Sequence, residues 1–136
     1  AMASIPRILE SLTKDDSHQR FYIGLLQEMA ESLAKYQGKD GYWRVNLTDS
    51  ADFPAPESSG TAFFTYALSW GINHGYLDKN TYNPIVENSW QALYTNISPT
   101  GKVLWGQGVA RGPEYVSKED SHQFSPNLSF GHRRSK

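Results

Sequence analysis

The sequence predicts an all-α fold of helical hairpins, in which one inner helix lies between two outer helices. Two segments, near residues 19–37 and 84–97, repeat apolar residues at spacings of three and four with polar residues between them. That pattern is typical of amphipathic helices with one wet face. The segment between them, GTAFFTYALSWGIN, has no charged side chain and no polar face. Such a helix is expected to be surrounded by protein, so we interpret it as the inner one.

The first outer helix is predicted from Gln19 to Gln37, and Gly38 ends it. Residues 42–47 then alternate in the manner of a short strand, and a proline-bearing loop, DSADFPAPE, leads to the inner helix. The opening AMAS has no basic flank or apolar run, so it resembles a remnant of cloning rather than a signal peptide. We therefore expect residues 1–18 to be a remnant and lead-in segment.

The inner helix is predicted from Ser59 to Gly75, with a serine cap at its start and a left-handed glycine at its end. For the second outer helix, Asn83 is the predicted N-cap and Pro84 the first helical residue. Its predicted apolar stripe includes Trp90, which we place in the core with Trp70. Residues 102–108 again resemble a strand, and residues 125–136 show no periodicity, which predicts an irregular tail.

The composition of the chain limits the kinds of partner that it is expected to bind. The chain has 136 residues, a formal net charge of -1 and no cysteine, which excludes disulfides and thiolate metal sites. No basic patch is present apart from HRRSK at the end, so we expect neither nucleic acid nor a membrane as partner. The 4 Trp, 8 Tyr and 6 Phe either fill a core or line a groove that stacks on sugars. The compartment stays open between cytoplasmic, periplasmic and secreted.

Antiparallel packing predicts that the long aromatic loops share one end of the molecule, around the start of the inner helix. Free amides and the helix dipole there favour a bound carboxylate or hydroxyl, and a sugar acid would suit such a place. The residues predicted to gather at this end are Trp43, Glu57, Ser58, Ser59, Thr61 and Trp105.

The segments GLLQEMAESLAKYQGKDGYWRVNL, PESSGTAFFTYALSWGINHGYLD, WQAL and GKVLWGQ together resemble the C-terminal half of glycoside hydrolase family 105, the unsaturated rhamnogalacturonyl hydrolases. Family 88, the unsaturated glucuronyl hydrolases, is more distantly similar. The resemblance spans about residues 19–124 and implies a partial (α/α)6 toroid domain there. It also implies removal of a 4,5-unsaturated uronic acid from pectin-derived oligosaccharides, by hydration of the enol ether, with no metal or other cofactor.

The sequence departs from that family in one important way. The family's general acid and its W-G-R-G-N-G-W element lie upstream of the matched part, and residues 1–18 do not supply them. Catalysis needs a carboxyl group whose pKa is raised by burial. Of the acids near the decorated end, Asp40, Asp49 and Asp52 lie in hydrophilic turns, and Glu57 is no convincing substitute. We therefore expect a fragment of an enzyme that is inactive by itself.

Each candidate also has a simpler structural interpretation. Glu57 suits a first-turn acid as well as a substrate contact, and Ser59 and Thr61 suit helix caps. Trp43 and Trp105 are the candidates for stacking on a sugar ring, although such rings more often fill cores. The resemblance adds His122, and Arg111 could pair with a uronate carboxylate.

Two alternatives to the enzyme fragment remain: a small carbohydrate-binding or scaffold module that uses Trp43 and Trp105, and a purely structural helical module. Because the inner helix suits neighbours on all sides, we also expect self-association through its exposed flank.

Overall fold

Four α-helices make up the part of the chain that the computed structural model describes, residues 1–107. They are α1 (Ser4–Ser11), α2 (Gln19–Tyr36), α3 (Ser58–Asn73) and α4 (Lys79–Thr95). Helix α3 packs mainly against α4, and α1 packs against both α2 and α3. Residues 1–107 contain no β-strand, only an isolated antiparallel bridge between Ile97 and Val103. The predicted all-α class is confirmed.

The central helices lie where the hydrophobic pattern predicted them. Helix α2 buries Leu26, Ala30 and Leu33 on one face, at spacings of four and three. Helix α3 is followed by Gly75, whose φ of 72° is the left-handed conformation expected after a helix end. None of the helices within residues 1–107 combines the length and apolarity needed to cross a membrane.

The first helix, α1, was missed by the sequence analysis. Residues 1–18 were expected to be a remnant and lead-in segment, but they place Met2, Ile5 and Leu9 in the core, where each is at most 5% exposed. Glu10 also ties α1 to the inner helix, because its Oε1 accepts a 2.8 Å hydrogen bond from Trp70 Nε1. A helix of eight residues spans barely two turns, so its apolar period was too short to recognise.

Helix α3 is buried on the sides that face its neighbours and exposed on one flank. The buried positions on α3 include Thr61, Thr65, Ala67 and Leu68. The hydroxyl of Thr65 donates to the carbonyl of Thr61 at 2.7 Å and lies 2.8 Å from Ser89 Oγ on α4. The exposed flank carries Ser59, Ala62, Phe63 and Tyr66. Helix α3 is therefore an inner helix, but within residues 1–107 the protein covers only some of its sides.

Helix α4 begins earlier than predicted. Its N-cap is Asp78, whose Oδ2 accepts the amide of Thr81 at 2.8 Å. The prediction of Asn83 as N-cap and Pro84 as first helical residue is wrong, because Pro84 lies inside the helix. A proline there leaves the carbonyl of Asn80 without its helical partner. Asn80 is exposed, so water can replace that hydrogen bond.

The face that α4 buries also differs from the prediction. The buried residues of α4 are two small ones, Ser89 and Ala92, and Ser89 Oγ lies 2.8 Å from Thr65 Oγ1 on α3. Trp90 and Tyr94 are 65% and 66% exposed within the described residues, so the placement of Trp90 in the core is wrong. The apolar stripe of α4 is present, but its large side chains lie beside the contact between α4 and α3 and not within it.

The segment after α2 is irregular and not a strand. Tyr42 and Trp43 are adjacent, yet they are only 8% and 1% exposed. Successive side chains of a strand point to opposite faces, so a half-exposed strand would not bury both. Residues 102–107 form no strand either, and their strand-like character is limited to the bridge at Val103.

Candidate functional site

One end of the molecule, which we call the rim, gathers residues 37–61 and 93–107. Two hydrogen bonds show that these loops meet at the start of α3. The amide of Trp43 donates to Thr61 Oγ1 at 3.1 Å, and the amide of Ser58 donates to the carbonyl of Trp105 at 2.9 Å. The end of α2, the start of α3 and the end of α4 therefore share one rim, which confirms the predicted arrangement.

Glu57 caps the first turn of α3. Its Oε1 accepts the amide of Ser59 at 2.8 Å, and its Oε2 accepts the amide of Gly60 at 2.6 Å. The carboxylate is 7% exposed, and a side chain at Gly60 would place its Cβ 2.6 Å from Oε2. With Ser58 bonded to Trp105, the leading amides of α3 already have protein partners. The expectation of free amides for a substrate carboxylate is wrong, because the chain's own carboxylate occupies that position.

A turn after α4 is fastened to the start of α3 by a buried amide. Asn96 is 5% exposed, and its Nδ2 donates to Ser58 Oγ at 2.8 Å and to the carbonyl of Leu104. The carbonyl of Asn96 accepts the amide of Leu104 at 3.1 Å. The next residue, Trp105, has a φ of 58°, which is uncommon for a residue other than glycine. These bonds hold Trp105 half-buried at the rim.

Tyr42 and Trp43 join the rim to all three longer helices. Trp43 Nε1 donates to the carbonyl of Leu33 on α2 at 2.9 Å, and the hydroxyl of Tyr42 donates to the carbonyl of Ala92 on α4 at 2.7 Å. The third link is the bond from the Trp43 amide to α3. Burial raises the pKa of the Tyr42 phenol above its ordinary value, which favours the neutral form that donates this hydrogen bond. Because the Trp43 ring is almost fully buried, it supports the rim from within.

Beside this support lies a cavity of about 330 Å³, which we call the Arg44 groove. Arg44 is held in it by a 2.8 Å contact from its Nη2 to Asp40 Oδ2. Burial raises the pKa of Asp40, but the hydrogen bonds and charge of Arg44 outweigh burial and bring that pKa below its ordinary value. The remaining lining includes an ammonium group, a phenol, two hydroxyls and a proline ring, which belong to Lys35, Tyr36, Thr48, Ser50 and Pro54.

A second concave surface lies between α3 and α4, and we call it the Trp90 groove. It measures about 310 Å³ and is lined almost entirely by apolar atoms. Its residues include Ala62, Trp90, Leu93, Tyr94, Ile97 and Val103. This groove meets the rim at Ser58 and Ser59, so the start of α3 forms one of its edges.

The structure brings six of the eight predicted substrate residues together around the start of α3. Four of these six are buried and bonded within the protein, and only two reach the surface: the buried ones are Trp43, Glu57, Ser58 and Thr61, and the accessible ones are Ser59 and Trp105. Arg111 and His122 lie outside the described residues. Contact between substrate and any of the eight stays a prediction.

Sequence reasoning missed two residues that shape the rim. Arg44 follows Asp40 by four positions, and that charge spacing could have indicated the pair. Asn96 gave no comparable signal, because its role depends on burial beside Ser58, which is 38 residues away along the chain.

Comparison with known proteins shows which family shares this arrangement of helices. The model of glycosyl hydrolase family 88 matches residues 1–127. The chain belongs to this family. Among solved structures, the family 88 protein from Bacteroides vulgatus superposes with a TM-score of 0.79 at 40% identity, over 82% of this chain and 32% of that one. A possible member of family GH105 from Salmonella enterica gives a TM-score of 0.75 at 25% identity, over 86% and 32%. The predicted helical toroid architecture is confirmed.

Two curated relatives are each named an unsaturated 3S-rhamnoglycuronyl hydrolase. The one from Formosa agariphila is 35% identical over 123 residues, which are 90% of this chain and 33% of the relative. The one from Alteromonas sp. is 37% identical over 122 residues, 90% of this chain and 30% of the relative. The chain therefore spans about a third of the length of the curated relatives that it matches.

Proposed function

We propose that this chain contributes a substrate-binding rim to a glycoside hydrolase that removes a 4,5-unsaturated uronic acid from the non-reducing end of an oligosaccharide. The match to family 88 over residues 1–127 carries the proposal. The rim also supports the proposal. Its loops are hydrogen-bonded to one another at the start of α3, they hold Trp105 half-buried, and they line the Arg44 groove.

The sugar next to the uronic acid is proposed to be rhamnose in a pectin-derived, rhamnogalacturonan oligosaccharide. The family 105 resemblance favours that substrate, and the names of both curated relatives also contain a rhamnoglycuronyl unit. Those names specify a 3S-rhamnoglycuronyl substrate, so the test below includes a second disaccharide of that kind.

The proposed reaction is hydration of the enol ether. A general acid donates its proton to C4 of the double bond, the oxygen of water bonds to C5, and one proton of that water passes to the carboxylate that the acid leaves. The resulting hemiketal at C5 opens to a ketone, which frees the former ring oxygen as a hydroxyl and leaves a hemiacetal at C1. That hemiacetal opens to an aldehyde, and the glycosidic bond breaks as the neighbouring sugar leaves with its hydroxyl. This chemistry requires one well-placed acid and no nucleophilic carboxylate.

We further propose that this acid is not supplied by the chain. Within residues 1–107, the rim holds four carboxyl groups, and none combines burial with a free proton-donating position. Glu57 is occupied by the amides of α3, and Asp40 has a lowered pKa beside Arg44. Asp49 and Asp52 are exposed. A general acid needs a raised pKa and reach to the reacting carbon.

The test is to titrate the chain with an unsaturated galacturonyl-rhamnose disaccharide and its 3-sulfated counterpart, following tryptophan fluorescence and the ultraviolet absorbance of the double bond. We expect saturable quenching and no loss of absorbance. Turnover would refute the missing acid, and an absence of quenching would refute the binding rim. Equal affinity for the saturated disaccharide would instead favour the alternative of a carbohydrate-binding module.

A matched pair of variants locates the binding surface. Trp105→Phe should remove most of the quenching, because Trp105 reaches the surface at the rim. Trp90→Phe should leave the quenching unchanged, because Trp90 lies in the second groove. The reverse result would place the sugar in the Trp90 groove and contradict the proposal.

A further inference from the structure

The Arg44 groove is built from one stretch of the chain. Its lining residues all lie between Lys35 and Pro54, at the end of α2 and in the loop that follows. The shape of the groove therefore depends on this stretch and on the packing beneath it. Its volume of about 330 Å³ is at the lower end of the range for small-molecule sites, which is about 300–1,000 Å³.

The charged side chains that line the groove, Arg44 and Lys35, are both cationic. Four acids lie near the groove along the chain: Glu31, Asp40, Asp49 and Asp52. None of these four belongs to the lining that residues 1–107 provide. Two of them pair with the cations from outside the groove, Asp40 with Arg44 and Glu31 with Lys35. The groove thus presents the cations, while their counter-ions lie outside its lining.

Arg44 keeps donors that the described part of the protein does not use. Its Nη1 and Nη2 contact the carboxylate of Asp40 at 3.4 and 2.8 Å. A guanidinium has five N–H donors, so three remain without an acceptor among residues 1–107, and Nε–H is one of them. The Arg44 side chain is 17% exposed and that of Asp40 is 46% exposed. Because water screens the more exposed carboxylate more strongly, a net positive field remains inside the groove.

The rest of the lining suits a sugar. The hydroxyls of Tyr36 and Ser50 have no hydrogen-bond partner among the described residues. Leu47, Pro54 and the ring of Tyr36 supply apolar surface. Sites for small molecules combine apolar and aromatic lining with a few polar groups of this kind. A planar guanidinium adds paired donors for the oxygens of an anionic group.

We propose that the Arg44 groove binds the carboxylate or sulfate group of an acidic saccharide, with the guanidinium of Arg44 as its charged donor. This inference rests on the proposed function and deepens it, because it makes an acidic substituent the group that the rim selects. Lys35 supports the selection from the end of α2, and Tyr36 packs against the sugar that carries the acidic group.

The first test observes Arg44 directly. The whole chain is labelled with ¹⁵N-arginine, and the Nε–H signal of Arg44 is identified by its absence from the Arg44→Gln variant. Galacturonic acid, rhamnose 3-sulfate and neutral rhamnose are then added in turn. We expect at least one of the two acids to shift the signal saturably and rhamnose to leave it unchanged. The acid that shifts the signal identifies the group that the groove takes.

The second test uses two variants with opposite expected effects. Arg44→Gln should weaken binding of the acidic disaccharide about tenfold, because it removes a hydrogen bond to a charged group. Asp40→Asn should strengthen binding of the acidic sugar about threefold, measured on the same Nε–H signal, because it removes a competing carboxylate. The matched control is Arg20→Gln, which removes the same charge from an exposed position in the first turn of α2 and should bind as wild type does.

Three results would overturn the inference. The Arg44 signal could stay unchanged with both acids, neutral rhamnose could shift it equally, or both variants could weaken binding, which would make the pair with Asp40 purely structural. Asp40→Asn keeps the test decisive if circular dichroism shows that Arg44→Gln has lost helix. If the Arg44 signal shifts but the disaccharides do not quench tryptophan fluorescence, the groove is upheld and the binding rim around Trp105 is refuted instead.

Discussion

The role of Glu57 can be decided by replacing its carboxylate with an amide. Glu57→Gln keeps the size of the side chain but leaves one oxygen and one NH₂ group where two carboxylate oxygens accepted the amides of Ser59 and Gly60. The NH₂ group then faces a backbone donor, so one charged acceptor is lost. The favourable interaction between a negative charge and the start of the helix is lost as well.

The expected cost follows from the burial of the cap. Loss of an N-cap destabilises a protein by about 0.5–2 kcal/mol, and hydrogen bonds to charged groups contribute about 1.5–3 kcal/mol. Because Glu57 is only 7% exposed, water has little access to replace the missing acceptor. We therefore expect a loss of about 2 kcal/mol in the free energy of unfolding, which for a domain of this size lowers Tm by roughly 8 °C.

The assay is urea unfolding followed by circular dichroism, at a protein concentration where the oligomeric state has been measured. The matched control is Glu28→Gln, which removes the same charge from an exposed position of α2 and should change stability by less than about 0.5 kcal/mol. If Glu57→Gln is as stable as that control, the carboxylate does not cap α3. Glu57 would then again be a candidate for contact with substrate.

Two further predictions concern the loop that leads to Trp43. Gly41→Ala should cost about 3 kcal/mol, because its φ is 84° and a Cβ would lie 2.4 Å from the carbonyl oxygen of Asn88, whereas Gly24→Ala meets nothing within 4 Å and should gain about 0.5–1 kcal/mol. Urea midpoints that move equally for both variants would contradict this. The lowered pKa of Asp40 beside Arg44 means that this pair stabilises the fold above the unfolded pKa of about 3.9. The stability that the Asp40 charge contributes relative to Asp40→Asn should therefore be present at about pH 5 and be lost as the pH falls through the lowered pKa of Asp40, and a pH-independent difference would refute it.

The sequence was sufficient for the parts of the fold whose pattern extends over many turns. Helices α2 and α3 were predicted within two residues at each end, because α2 repeats an apolar stripe, α3 is a long segment without charge, and a glycine follows each. Helix α1 is too short for its period to be recognised. The start of α4 was misplaced because two capping signals compete, and Asp78 was overlooked in favour of Asn83 and its following proline.

The candidate site was predictable as a location but not as a set of contacts. Alternation of helices predicts which loops share an end, and that prediction was correct. Whether a given side chain faces the solvent depends on the packing around it, which no local pattern contains. For this reason Trp43, a candidate for stacking on a sugar, is only 1% exposed, whereas Trp90, which was expected in the core, is 65% exposed.

The buried bonds of the rim change how substitutions there should be interpreted. Glu57 accepts amides of the first turn of α3, Thr61 accepts the amide of Trp43, and the Ser58 hydroxyl donates to the carbonyl of Leu104, so replacing any of them disturbs a part of the rim. A loss of saccharide binding in such a variant would therefore not distinguish direct contact from displacement of a neighbouring loop. Ser59→Ala is a sharper probe because Ser59 is exposed, although its hydroxyl also donates to Glu57. If Ser59→Ala keeps its stability and still binds the disaccharide more weakly, direct contact at the start of α3 is the simpler explanation.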